Sequence, residues 1–170
     1  MRTQWSGIGP VKKWLGSGAV AAALVTGALA MPAQAQAAPV QQLINRQTNL
    51  CLTNPTSSES LRVYPATCSN SDRQRWYWDS SEKNWRNVAT GNCLAVDWEL
   101  NGINKPATPI VNAAACGSSG MINHVELSGG YAMIKFLEDG TCVDSNAVAV
   151  YRSACSKDDL GVQWTRKVVG

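Results

Sequence analysis

The stretch from Gln74 to Cys93, QRWYWDSSEKNWRNVATGNC, has a second copy downstream. Gln74 to Cys93 spans 19 positions, and Asn123 to Cys142 spans 19 again. On that frame Trp76 falls on Val125, Trp78 on Leu127, Trp85 on Ile134, Val88 on Leu137 and Gly91 on Gly140. Apolar positions stay apolar and the turn glycine is kept. A second signature occurs three times, as Val63-Tyr64-Pro65-Ala66-Thr67-Cys68, Val111-Asn112-Ala113-Ala114-Ala115-Cys116 and Val150-Tyr151-Arg152-Ser153-Ala154-Cys155. Each has Val five residues before the cysteine and a small residue two before it. Three units of about 43 residues, none able to bury an apolar face alone, must share one core.

The units read as 42–85, 86–133 and 134–170, with 36–41 as a short tail. Within them short apolar runs such as Leu43-Ile44, Leu50-Cys51-Leu52 and Arg62-Val63-Tyr64 alternate with turn-rich segments such as Asn54-Pro55-Thr56-Ser57-Ser58. Turn signals every 8 to 12 residues or so imply an all-β fold. Threefold repetition implies that the sheet closes, which removes exposed edges. Trp76, Trp78, Trp85 and Trp164 are expected in the core and barrel wall. Trp98 sits in a polar loop. His124, at the middle of the second unit's triplet, is expected to point outward.

The first residues read differently. Arg2, Lys12 and Lys13 precede an Ala/Gly/Val/Leu-rich run from Trp14 to Ala30, and MPAQAQAAP follows. This is the pattern of a secretory signal peptide, with cleavage expected after Ala35 or Ala37. The run is only about 17 residues and is broken by Gly16, Ser17, Gly18 and Gly27, whereas a spanning helix needs about 20 apolar residues. The expected division is therefore a signal peptide over 1–37 and a single domain over 38–170, secreted and with no membrane partner after cleavage. The leader removes three basic and no acidic residues, which takes the formal charge from +3 to zero. A chain without net charge has no overall attraction to phosphate backbones, so no nucleic-acid partner is expected.

All six cysteines, 51, 68, 93, 116, 142 and 155, lie after the leader. There is no C-x-x-C pair and the one histidine is His124, so neither a metal site nor a cofactor is expected. An exported chain with an even cysteine count points to disulfides. Spacing alone leaves fifteen pairings open. The repeat assigns two cysteines to each unit and so selects Cys51–Cys68, Cys93–Cys116 and Cys142–Cys155. Closing each loop is worth roughly 3 kcal/mol in the chain-entropy picture.

Three units with Cys-Leu near the start and Gln-x-Trp near the end resemble the ricin-type β-trefoil lectins, best at Gly91-Asn92-Cys93-Leu94 and Gln74-Arg75-Trp76. The resemblance covers about 42–168 and implies a β-trefoil of three repeats. It makes Gln74, Trp76 and Trp164 structural, the tryptophans filling the shared core and the glutamine satisfying backbone groups. Only the first unit keeps the triplet. The second has Asn123-His124-Val125 and the third Val162-Gln163-Trp164.

The resemblance also places a sugar-binding Asp two residues after each unit's first cysteine and a stacking aromatic two before its second. Those positions hold Thr53, Ala95 and Asp144, and Ala66, Ala114 and Ser153. One acid survives and no stacker does. Tyr64 and Tyr151, four before their cysteines, share a strand face with the missing stackers and stand in for them if the register differs. The candidate carbohydrate residues are therefore Asp144, Asn146 and Tyr151, with Asp97 and Trp98 as a second acid–aromatic pair. Asn146 is expected on the same side as Asp144, since alternate residues of an extended segment share a face.

No G-x-S-x-G, H-E-x-x-H or Cys–His pairing is present, and no enzyme activity is expected. The resulting expectation is a lectin-like module with a degenerate set of sites for a glycan or glycoconjugate. The alternative is a trefoil that has lost sugar binding and contacts another secreted or surface protein, for instance as an inhibitor.

Overall fold

The computed structural model describes residues 37–55, 62–96, 111–117 and 120–170. These form β1 (Val40–Asn45), β2 (Cys51–Thr53), β3 (Tyr64–Ala66), β4 (Trp76–Asp79), β5 (Asn84–Asn87) and β6 (Cys93–Val96). Then follow β7 (Val111–Ala114), β8 (Ile122–Glu126), β9 (Tyr131–Phe136), β10 (Thr141–Ser145), β11 (Val150–Ala154) and β12 (Gln163–Val168). The ladder β8–β9–β12–β1–β4–β5 is antiparallel throughout and makes the barrel wall. Between β5 and β8 the Ile122 N–H donates to the Lys83 carbonyl at 2.9 Å and the Asn84 amide to Gly120 O at 2.9 Å. Hairpins β2–β3, β6–β7 and β10–β11 extend from β1, β5 and β9.

Each unit therefore begins at its barrel strand: 40–79, 84–126 and 131–168. This corrects the sequence-based bounds. Trp85 lies in β5 and Met133 in β9, each opening the following repeat, and Val40 and Gln41 belong to β1 and not to a tail. The turn before each first cysteine explains why Gly91 and Gly140 are kept. Both have positive φ, 71° and 74°, and the matching Asn49 has 56°. Glycine and asparagine are the residues that enter this region most easily.

The core includes four sets of three equivalent residues. Leu43, Trp85 and Ile134 come from the first strand of each repeat, and Leu52, Leu94 and Val143 follow the first cysteines. Val63, Val111 and Val150 precede the second cysteines, and Trp76, Ile122 and Trp164 open the last strands. All twelve are 3% exposed or less. The counterpart of Trp76 is thus Ile122, not Val125, because the β8–β9 hairpin is three residues longer than β4–β5 between its paired core positions. Trp76 pairs with Asn87 and Trp164 with Asn45, whereas Ile122 pairs with Phe136. The volume lost at the tryptophan position is restored by Phe136 directly across the ladder, which keeps the interior close-packed.

The tryptophans also donate. Trp76 Nε1 bonds Leu52 O at 3.0 Å and Trp164 Nε1 bonds Val143 O at 2.9 Å. In the second repeat Asn84 Nδ2 bonds the equivalent Leu94 O at 2.8 Å. The disulfides are Cys51–Cys68, Cys93–Cys116 and Cys142–Cys155, one inside each repeat.

His124 is not the outward surface residue expected. With Ile122 in register with Trp76 and Trp164, His124 matches Trp78 and Arg166. The ring packs 4.4 Å from Trp78 and 5.2 Å from Trp85 between centroids. Burial, helped by the nearby Arg166 charge and opposed by Glu126, lowers its pKa from 6.5 to about 4. Above pH 6.5 the ring is neutral folded or unfolded and contributes no pH dependence. Between about 6.5 and 4 the unfolded chain takes the proton first, so stability falls with pH by up to about 3 kcal/mol. Urea unfolding across this range should show a larger loss in the wild type than in His124→Phe, both sharing the loss from carboxylates such as Asp79 and Asp139 whose pKa is lowered by folding. Parallel profiles for the two proteins would contradict the half-buried, neutral imidazole.

Candidate functional site

The β10–β11 hairpin brings together the three residues singled out in the third repeat. Cys142 pairs with Ser153 and Asp144 with Tyr151. Directly opposed residues of an antiparallel pair project on the same face, so the tyrosine stands beside the acid without any change of register. The missing-stacker positions Ala66, Ala114 and Ser153 lie opposite the cysteines instead.

Asp144 is only 4% exposed. Burial raises its pKa, and the neighbouring charge of Asp159 adds to the rise. Hydrogen bonds from the Ser153 hydroxyl, the Ser145 N–H and the Tyr151 hydroxyl oppose it. Burial likewise raises the Tyr151 phenol, with Asp144 and Asp159 in support, while a hydrogen bond from Asn146 opposes the shift. Asn146 lies just past the end of β10, at the turn, and not on the strand face with Asp144. Its Oδ1 accepts from Val148 N and Ala149 N, both at 2.8 Å. It therefore reaches the site through Tyr151: amide to phenol, phenol to carboxylate.

The floor is a residue that sequence reading missed. A Cβ on Gly161 would lie 2.3 Å from Asp144 Oδ1, 2.9 Å from Gln47 Oε1 and 3.2 Å from Asp159 Oδ1. Any side chain there would have to push these groups aside. Gly161 is fixed by its N–H to Asp159 Oδ1 at 2.9 Å and by its carbonyl, which receives Asn45 Nδ2 at 2.6 Å. Gly161 and Asp159 precede Trp164 in the chain, so their place beside Asp144 follows only from the folded β12. Asp97 and Trp98 lie outside the described residues.

The two other repeats place different groups at the same points of the hairpin. Thr53 faces Tyr64 in the first and Ala95 faces Asn112 in the second. Gln74 is buried beneath the first hairpin, bonding Thr53 Oγ1 at 3.0 Å and Thr67 O at 2.9 Å. Among the described residues no group of three His, Cys, Asp or Glu side chains is placed to hold a metal ion. No helix among them is long and apolar enough to cross a membrane.

A closed antiparallel barrel with three hairpins, one per repeat, defines the β-trefoil. The sequence model of the ricin-type β-trefoil lectin domain matches residues 33–119, just over half of the chain, and the protein belongs to that family. No curated protein matches in sequence. Among solved structures the fold is similar to ThreeFoil, a designed threefold-symmetric protein, at 17% identity and a TM-score of 0.64, over 76% of this chain and 99% of that one. A ricin B-like lectin from Macrolepiota procera in complex with lactose is similar at 14% identity and TM-score 0.61, over 80% and 99% of the two chains. An exo-β-1,3-galactanase from Clostridium thermocellum is similar at 15% and 0.63, over 77% of this chain but 30% of the enzyme.

Gly161→Ala should displace Asp144 and lower stability by about 1–3 kcal/mol, the range for an overpacked site. Thermal melts measure this, and an unchanged melting temperature would show that Asp144 does not rest on Gly161.

Proposed function

We propose that this protein is a non-enzymatic, secreted carbohydrate-binding module whose neutral-sugar site is in the third repeat. Membership of a lectin family and the fold shared with a lactose-bound lectin support glycan recognition. The observation that carries the site is Asp144, a nearly buried carboxylate kept beside a second acid and across from an aromatic ring. Such an arrangement lowers stability at neutral pH. The folded-state pKa is raised, so the charged form is disfavoured by folding, and stability rises as pH falls toward the ordinary carboxylate range. A sugar hydroxyl that donates to Asp144 takes over the role of the Tyr151 O–H and leaves the phenol ring to cover the sugar face. The exposed Asn146 borders the entrance. Affinity for a single sugar is near millimolar, about 4 kcal/mol. Secretion is supported by the basic-then-apolar leader and by three disulfides, which persist in oxidising compartments. The same leader sets the proposed boundary near residue 38.

A second reading, a trefoil that binds a protein, is favoured by one feature. Met121 and Leu137 are 51% and 48% exposed and adjacent, with Leu137 N–H donating to Met121 O at 2.9 Å.

A glycan array with purified protein, repeated with Asp144→Asn, separates the two. The first reading requires wild-type binding that is lost in the variant, since removing a charged hydrogen-bond partner costs about 1.5–3 kcal/mol. It also requires that the variant melt no lower than the wild type at pH 7. Binding that persists in the variant moves the site away from Asp144. A wild type that binds no glycan leaves the protein-partner reading.

A further inference from the structure

The first repeat carries a cation where the third carries acids. Tyr64 faces Thr53 as Tyr151 faces Asp144. Arg73, three residues before Trp76, holds the place that Gly161 holds three before Trp164. At one pseudo-equivalent point a carboxylate has become a hydroxyl, and at the next a glycine has become a guanidinium.

Arg73 is half-buried and held in place. Its Nε donates to Asn54 O at 2.8 Å and its Nη2 to the Tyr64 hydroxyl at 2.7 Å, with the guanidinium carbon 5.9 Å from the Tyr64 ring centroid. Its backbone is fixed as well. The carbonyl receives Asn54 N at 2.9 Å and Asn87 Nδ2 at 3.0 Å, and the N–H donates to Ser71 Oγ at 3.3 Å. Among the described residues no carboxylate pairs with it. Asp72, its neighbour in the chain, pairs instead with Arg75 at 3.0 Å. Nor does any described residue bond Nη1.

A guanidinium taken partly out of water favours an anionic partner. Its planar fork matches a carboxylate or sulfate by two parallel hydrogen bonds. Here the fork is pre-oriented and set beside a phenol ring able to meet the face of a sugar. We infer that the first repeat is a second, distinct site for an acidic sugar, one bearing a carboxylate or a sulfate, gripped by Arg73 with Tyr64 against the ring. The inference rests on the glycan-binding reading of the module but not on the Asp144 site. Among the described residues the second repeat places Ala95 opposite Asn112, so neither an acid nor an aromatic ring stands at those two points.

The test is an NMR titration of the isotope-labelled, disulfide-bonded protein with four disaccharides. These are one containing glucuronic acid, its carboxyl-reduced neutral counterpart, a sulfated one, and lactose. The expected result is that at least one acidic disaccharide shifts the Arg73 Nε–H and Tyr64 ring signals and that the reduced sugar does not. Arg73→Gln should weaken that binding at least tenfold, Arg73→Lys should weaken it less, and Asp144→Asn should leave it unchanged. Which acid shifts the signals identifies the group recognised. Acidic sugars that shift neither residue overturn the inference, as do shifts equally produced by the reduced sugar or an affinity indifferent to Arg73→Gln. If Arg73→Gln does not fold, the wild-type shift map decides alone. Lactose shifts at Asp144 without acid shifts at Arg73 would remove this inference only. Acid shifts at Arg73 without lactose binding would remove only the neutral site.

Discussion

One buried side-chain donor ties each hairpin to the barrel. Trp76 reaches Leu52 O, Trp164 reaches Val143 O, and Asn84 reaches Leu94 O. Each carbonyl follows the first cysteine of its repeat and lies deep in the core. Left without a donor, such a group costs about 1–3 kcal/mol, and the indole adds a large buried apolar surface. In the second repeat the tryptophan's two roles are divided. Its volume is taken up by Phe136 across from Ile122, and its N–H is replaced by the amide of Asn84.

Because the hairpins are fixed in this way, their register is common to all three repeats while their chemistry is not. The residue two after the first cysteine always faces the residue four before the second. The residue three before the core tryptophan forms the floor where it is described. The side chains at these three points are Asp144, Tyr151 and Gly161 in the third repeat, and Thr53, Tyr64 and Arg73 in the first. The scaffold is the same under both, so the sites can diverge without disturbing the core.

The parts of this that could be read from sequence are those that recur at constant spacing from a cysteine. Leu52, Leu94 and Val143, the three valines, the turn glycines and the disulfides all belong to that group. The last strand of the second repeat could not be placed, because the longer β8–β9 hairpin shifts it by three residues against the cysteine frame. That shift put Val125 in the place of Ile122 and sent His124 outward, when it packs with Trp78. The candidate site was half legible. Asp144, at the position the family resemblance points to, and Tyr151, at a fixed spacing from its cysteine, sit on paired strands of one hairpin. Gly161, Asp159 and Arg73 arrive from the short 3-10 turn, or its cap, just before the last strand of their repeats, and no local pattern announces them.

The dependence of the fold on the indole bonds is tested most directly by hydrogen exchange of the tryptophan Nε1–H groups. If these bonds hold the hairpins to the barrel, the Trp76 and Trp164 indoles exchange only on global unfolding. Their exchange free energies then equal the stability measured by denaturant. Indole protons that exchange by local opening, while the barrel backbone stays protected, would contradict it.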